Sequence, residues 1–578
     1  MATDNKYDRQ LRLWGSCGQR ALMESHILLL NADSAGTETL KNLVLPGVGM
    51  FTILDEHLLE ESDLGSNFFC DASGLGKPRG DRVTELLCEM NSDVRGSAVF
   101  GNLSSAVALD ADFLSRFTLV IASNLPEAHL LQLSEGCWQR NIPLIVVRSY
   151  GLLGYVRIQV KQHDVIESKP DGQTAPIVWD LRMSNPFPEL VSFCKGVDFA
   201  ELDWMTHSHV PYVVILTKVV EHWKATHGGQ LPATKADKEA FVACIKALSN
   251  NNIPADYQAK MDREAAEGSK PVPWINVEKE NFQEAEREAY RSYQTLHAPG
   301  ELQDLMAQEV ATAPSRSDSD TTLLLRALHA FIQQSPNGSV PLSGQIPDMF
   351  SNTDLYISLQ EVYQLKAAAD KSVFTALLAE QAAAAGRAVA AAGADAGQVL
   401  NGCVVPQETI DTFCKNIFNM RRICTRSIAQ EYSEPEMDNL QMALFDAAES
   451  ANPEPAQAPI LWYFALRAAD RYRTKHGRWP GTVSDDPAVL SEEADAVWAE
   501  CQALQGEMGV AEQMADVLRR DHAVEIVRYG AGDVHNIGAI VGGIAAQEAV
   551  KLITHQYVPL NNTYLFNGIV CAGKAFEL

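Results

Sequence analysis

Short, unbroken apolar runs limit what this chain can fold into. His26-Ile27-Leu28-Leu29-Leu30, Phe117-Thr118-Leu119-Val120-Ile121-Ala122 and Pro143-Leu144-Ile145-Val146-Val147 each end within a few residues at a polar or charged position. A strand with one face in water alternates apolar and polar side chains. An unalternating run is covered on both faces, as parallel strands are between two helical layers. After the first run come a small-residue turn, a helical stretch over Glu38–Leu45 and a second strand over Gly49–Asp55. That is a strand–helix–strand unit, whose right-handed crossover sets the two strands side by side. A helix rich in Glu85–Met90 and a strand near Ser97–Phe100 continue the pattern. The prediction is a doubly wound α/β domain of Rossmann type, with ligands beyond the carboxyl ends of its strands.

The first strand-to-helix turn of such a domain normally reads Gly-x-Gly-x-x-Gly, because a side chain at the second glycine blocks the approach of pyrophosphate to the helix N-terminus. Here the turn is Asn31-Ala32-Asp33-Ser34-Ala35-Gly36. Only the last glycine, the one that serves helix packing, is kept, and Asp33 sets a negative charge where a triphosphate would lie. At an effective dielectric of ~20, two unit charges ~4 Å apart repel by ~4 kcal/mol. The turn therefore reads as unable to hold a nucleotide; the alternative is a tolerated variant of it.

The chain has 578 residues, and 74 acidic against 47 basic side chains leave a formal charge of −27. Such a field repels nucleic-acid backbones and anionic lipid, so neither is expected as a partner. No run of about 18 apolar residues suggests a membrane span, and the start Met1–Arg9 lacks the apolar core of a signal peptide. The expected location is the cytosol or nucleus. The 11 cysteines are odd in number and contain no Cys-x-x-Cys, so neither a disulfide framework nor a metal site is written in their spacing.

Four segments in order resemble the adenylating fold of ubiquitin-activating enzymes. They are Tyr7-Asp8-Arg9-Gln10-Leu11-Arg12-Leu13-Trp14-Gly15, Leu40–Gly47, Ser149–Arg157, and Gly542–Thr554 followed by Asn561–Gly568. Within that family the chain is similar, along essentially its whole length, to the regulatory, non-catalytic subunits of heterodimeric activating enzymes for the ubiquitin-like modifier Nedd-eight. Asn67-Phe68-Phe69, Pro186–Leu190, Arg471-Tyr472, Gly477–Gly481 and Arg528–Ala531 carry that closer likeness. The resemblance implies a Rossmann-like adenylating fold of ThiF/MoeB type, split by a large, mostly helical insertion. It implies a catalytic subunit and the modifier as partners.

Against catalytic members of the family, this chain lacks chemical parts. The acidic pair expected after the second strand is reduced to Asp55, with His57 at the second place. Ser66 stands in place of a phosphate-binding arginine, Arg79 in place of a lysine, and Ser123-Asn124 in place of an Asp-Asn pair. A pocket degenerate at Ala32, Asp33, His57, Ser66 and Ser123 has nothing to stabilise the charge that develops at an α-phosphate. The resemblance thus implies no cofactor and no metal on this chain, with ATP and Mg held by the partner. Arg9 is retained, and in related heterodimers the arginine of this motif reaches in trans to the partner's nucleotide. The alternative is an Asp8/Arg12 surface pair with Arg9 solvated.

The family passes its adenylated modifier to a cysteine. The nearest echo is Arg421-Arg422-Ile423-Cys424-Thr425-Arg426, but no proline precedes the thiol, and the segment reads as a buried mid-helix stretch. Cys194, Cys403 and Cys414 have still less around them.

The chain divides by this reading into 1–165 and 506–578, the two parts of the pseudo-adenylation domain, and an insertion 166–505. The insertion corresponds to a catalytic-cysteine half-domain without its nucleophile. Helices are predicted over Asn281–Tyr293, Thr321–Gln334 and the alanine-rich Leu365–Ala392, with connectors at Ser315–Asp320 and Gly393–Gly397. Asp348, Met349, Tyr356 and Leu359 are candidate contacts to the catalytic subunit, though their spacing equally describes a core helix. Gly542-Gly543 with Ala545-Ala546 forms a small-residue helix face suited to close packing. The chain ends soon after Gly568, where catalytic subunits carry a further ubiquitin-fold domain, so it is expected not to complete the pathway alone. The competing readings are an autonomous nucleotide-binding Rossmann enzyme and a pure scaffold.

Overall fold

The computed structural model describes residues 6–109, 112–169, 178–251, 253–335, 337–389, 404–434, 436–449, 457–514 and 517–578. The connector expected at Gly393–Gly397, and Cys403, lie outside them. The chain forms two compact units, one of residues 1–168 with 421–578 and one of residues 169–420.

The first unit is built on eight strands: β1 (His26–Leu30), β2 (Met50–Asp55), β3 (Arg95–Phe100), β4 (Leu119–Ser123), β5 (Leu144–Tyr150), β6 (Leu153–Gln159), β7 (Thr563–Asn567) and β8 (Ala572–Phe576). Their order across the sheet is β8-β7-β6-β5-β4-β1-β2-β3. The strands from β3 to β5 run parallel, and β6, β7 and β8 return antiparallel. Every predicted strand is present, and β1 is buried on both faces as its composition requires. Ile27 and Leu29 point into one core with Ile53 and Val541, whereas Leu28 and Leu30 point into the other with Val120 and Phe464.

Helices Ser34–Val44, Arg79–Met90 and His535–Thr554 cover the first face. The last is long and apolar enough to cross a membrane by length and composition, but it packs on Ser34–Val44. Close approach depends on missing side chains: a Cβ at Gly542 would stand 2.7 Å from Glu38 Cβ and 3.1 Å from the Ala35 carbonyl oxygen. The expected use of this glycine face in core packing is what the structure shows.

The second face corrects the expected domain division. The insertion does not run over 166–505, because residues 421–505 belong to the sheet unit. Helix Pro459–His476 lays Leu461, Phe464, Ala465 and Ala468, all fully buried, on the face that bears Leu28 and Val120. Without it that face would be in water, at about 1.5–3 kcal/mol per large apolar side chain. Buried ion pairs fasten the same segment to the strands: Arg148 Nη1 to Asp470 at 2.7 Å and Arg157 Nε to Glu431 at 2.6 Å. Helical periodicity shows that a helix buries a face and says nothing about which sheet or bundle it meets.

The second unit is helical. Pro188–Gly196, Tyr212–Thr226, Lys235–Asn251, Glu280–Glu288 and Thr353–Ala384 enclose a core containing Leu190, Ile215, Phe241, Phe282 and Tyr363. The helix predicted over Asn281–Tyr293 tightens into a 3₁₀ turn at Ala289–Ser292. The alanine-rich helix starts earlier than expected, at Thr353 capped by Asn352, and stops at Ala384. Gly386, at φ +70°, turns the chain away. Met349 and Leu359, for which the sequence leaves a partner contact and a core position equally open, are buried in this core. Asp348 is exposed and Tyr356 half-buried.

Candidate functional site

In a sheet of this order, the chain leaves β1 and β4 in opposite directions, and the crevice beyond their carboxyl ends is where ligands sit. A cavity of about 200 Å³ lies there, walled by the ends of β1, β2 and β4, the start of helix Arg79–Met90, and Arg473, Trp479 and Asp533. Ordinary ligand clefts have roughly 300–1,000 Å³.

The turn after β1 is held by its own side chains. Asn31 takes a left-handed φ of +69°, a conformation that asparagine tolerates better than most residues. Its Nδ2 donates to the Ser123 carbonyl at 2.8 Å. Asp33 caps the helix Ser34–Val44, accepting from Gly36 N at 2.9 Å, and also accepts from Ser123 Oγ at 2.5 Å and Asn124 Nδ2 at 2.7 Å. Burial pushes the Asp33 carboxyl above the usual range, against the pull of these donors. Thus Ser123 and Asn124 act as partners to Asp33. Gly36 serves packing as expected: a Cβ there would come within 2.9 Å of both the Asn31 carbonyl oxygen and Leu29 Cδ1.

The cationic side chain is closed in the same way. Arg79 Nε donates to Asp55 at 2.9 Å, Nη1 to Asp63 at 3.0 Å and Nη2 to Asn31 Oδ1 at 2.6 Å. Asp55 also accepts from Ala32 N at 3.1 Å and from His57 Nδ1 at 2.8 Å. Burial works to raise the Asp55 pKa, but the bonds from His57 and the Arg79 guanidinium outweigh it and hold the carboxyl well below the usual range. Ser66 stands in helix Glu61–Ser66, its hydroxyl 3.4 Å from the Ser62 carbonyl of the same helix.

Two groups escaped the sequence reading. Asp533 accepts from Ser34 N at 3.3 Å, and burial together with the neighbouring Asp33 pushes its pKa up to about 8. Arg473, at the end of helix Pro459–His476, lies 4.4 Å over the Trp479 ring. Both come from segments distant from β1 in sequence, and no local pattern places either of them at the β1 turn.

Residues 7–572 match the model of the ThiF family. The NEDD8-activating enzyme E1 regulatory subunit of Xenopus laevis is 34% identical over 578 residues, covering 100% of this chain and 98% of the relative. The regulatory subunit AXR1 of Arabidopsis thaliana is 35% identical, covering 98% and 94%, and the Saccharomyces cerevisiae subunit is 26% identical, covering 99% and 100%. The chain belongs to the ThiF family, among the NEDD8-activating enzyme E1 regulatory subunits.

Two signature segments of this ThiF-family chain meet in space. Tyr7 is buried, and its ring lies so close to Gly47 that a Cβ there would stand 2.8 Å from it. The Tyr7 hydroxyl donates to Asp93 at 2.9 Å, and Gln19 Nε2 donates to the Pro46 carbonyl at 2.8 Å. The Tyr7 contacts pin the start of the helical segment Asp8–Glu24, where Asp8 and Arg12 pair at 3.0 Å, and the Gln19 bond holds the part beyond its break at Gly15, φ +70°. Arg9 is exposed and makes no ion pair among the described residues.

The segment around Cys424 is corrected. It is not helical and the cysteine is not buried: Arg421–Ile423 is a strand paired antiparallel with His163–Val165, and exposed Cys424 follows it. Arg422 grips Asp164 at 2.5 and 3.1 Å, and the next helix starts only at Ile428 behind the cap Ser427. Partial desolvation raises the Cys424 thiol pKa, and the guanidinium that could lower it is paired with Asp164. Cys194 and Cys414 are buried, and burial pushes both thiols up to about 12.

Proposed function

We propose that this chain is the regulatory subunit of a heterodimeric NEDD8-activating enzyme, pairing with a catalytic subunit that binds ATP, Mg and the modifier's reacting end. The relatives it matches along their full length carry that name. The observation that carries the reading is the closure of Arg79 onto Asp55, Asp63 and Asn31. A phosphate would have to displace Asp55 and Asp63 from Arg79, and two further buried acids, Asp33 and Asp533, line the same cavity. The residues present do not fit a magnesium nucleotide.

What this chain contributes is then Arg9. Its guanidinium is permanently charged, exposed and without an ion pair among the described residues, on a helix whose start is fastened by Tyr7. We assign it the role of reaching the phosphates in the partner's site. At exposed Cys424, the nearest echo of the family's nucleophile, partial desolvation raises the thiol pKa, which disfavours a thioester there. In an assay of pyrophosphate exchange with modifier and ATP, the isolated chain should be inactive and the assembled heterodimer active. Modifier-dependent exchange by the isolated chain would refute the proposal.

A further inference from the structure

The helix Thr353–Ala384 has 32 residues, a length of about 48 Å at 1.5 Å per residue. Its inner face is buried by Leu359 and Tyr363 in the core of the second unit and, further along, by Leu377, Leu378 and Phe374, which stacks on Phe413. Water-facing helix surfaces are ordinarily charged. This one is not. Between Glu361 and Glu380 its outward positions include Leu365, Ala368, Ser372, Val373 and Ala376, with Ile357 one turn earlier. Leu365 is 72% exposed, Val373 50% and Ile357 48%.

The lysines of the helix do not solvate that face. They lie at its flanks and are engaged, Lys366 with Asp370 at 2.7 Å and Lys371 with Asp411 at 3.0 Å. The outward positions 361, 365, 368, 372, 376 and 379 follow one another at steps of four and three. That is the seam a second helix follows when it crosses at about +20°, and alanines along it let the two backbones approach to about 8 Å.

The charges at the two ends say what kind of helix fits. Glu361 and Glu380 are exposed, and neither is in an ion pair among the described residues. They stand about 28 Å apart along the axis. A second copy of this chain laid parallel would bring Glu361 against Glu361, and laid antiparallel would bring Glu361 against Glu380. Both arrangements repel, and so does the overall charge of −27.

We infer that this face docks a helix of another protein, apolar along one side and carrying a lysine or arginine near each end of the contact. The site is separate from the cavity at β1 and does not depend on the function proposed above. The test uses the full-length chain and a synthetic helical peptide with leucines at the seam positions and two lysines about 19 residues apart. Its control carries glutamates in their place. Fluorescence anisotropy should show binding of the lysine peptide, with the glutamate peptide at least about tenfold weaker, ~1.4 kcal/mol.

Leu365→Glu, at an exposed position, should keep the wild-type circular dichroism and lose the binding. The double variant Glu361→Lys/Glu380→Lys should reverse the preference between the peptides. Failure of the lysine peptide to bind, equal binding to Leu365→Glu, or an unchanged preference in the double variant overturns the inference. So does a dimer in sedimentation velocity that Leu365→Glu dissociates.

Discussion

Asp55 and Arg79 lie 2.9 Å apart, carboxylate against guanidinium, in the wall of the cavity beyond the carboxyl ends of β1 and β4. The ion pair makes the pocket electrically self-sufficient. Removing one partner leaves the other charge buried and uncompensated, which typically costs 3–5 kcal/mol. Arg79→Ala should therefore lower the stability of the sheet unit by about that much in urea melts. It should not create ATP binding, because it removes the cation a phosphate would need and leaves the ionised Asp55 in place.

Repairing the turn should also fail to restore a nucleotide site. Asp33→Gly returns the glycine that the motif expects but removes the helix cap and the partner of Ser123 and Asn124. Loss of the cap to glycine costs only a few tenths of a kcal/mol, and loss of the bonds from Ser123 and Asn124 brings the expected cost to about 1 kcal/mol. Calorimetry with Mg-ATP should show no heat of binding, since Arg79 stays locked on Asp55 and Asp63. An autonomous Rossmann enzyme with a variant loop would instead show binding that this substitution strengthens.

How much of this was legible in the sequence depends on the distance over which each feature acts. The β1 turn, Gly36 and the buried strands were readable because their meaning is local: a five-residue apolar run, a missing glycine, a misplaced acid. The same local reading failed at Cys424, where arginines and apolar residues suggested a helix and a strand partner more than 250 residues away decided otherwise. It failed again for Pro459–His476, whose apolar face fits a helical insertion and a sheet cover equally well. Asp533 enters the cavity from the chain's far end, and nothing near it in sequence announces the meeting with Ser34 and Asp33.

The helical unit should weaken in mild acid. His207 is fully buried among Phe199, Trp274 and Phe282, with Lys279 nearby, and burial lowers its pKa to about 4 from 6.5. The unfolded chain then binds the proton more readily, so this contribution is intact above pH 6.5 and is lost as pH falls toward 4. The loss is roughly 3 kcal/mol at most. Thermal melts across that window should show the slope, and His207→Phe should flatten it.

Asp533 should act in the opposite sense. Its pKa, held up near 8 from 3.8 by burial and by Asp33, means that the folded chain retains a proton the unfolded one has released. Its stabilising neutrality is complete below about pH 4, and stability falls as pH rises from there to 8. Asp533→Asn should raise stability at pH 8, read as a higher melting temperature there, and change little at pH 4.

Gly542 sets how closely the two helices over β1 can lie. Gly542→Val would push a side chain into Glu38 and the Ala35 carbonyl, and the backbone there cannot yield cheaply. A loss of about 1–3 kcal/mol or more is expected in denaturant titrations. Gly543, with nothing within 4 Å of its added Cβ, should tolerate alanine with little change.

The central claim is that this chain acts on chemistry held elsewhere, through Arg9. The most direct measurement is pyrophosphate exchange by the assembled heterodimer with wild-type chain and with Arg9→Ala, with assembly checked by gel filtration. Losing a hydrogen bond to a charged phosphate, worth about 1.5–3 kcal/mol, predicts a fall of roughly 10- to 100-fold with assembly intact. An unchanged rate in a fully assembled Arg9→Ala heterodimer would contradict the account and leave the chain a scaffold.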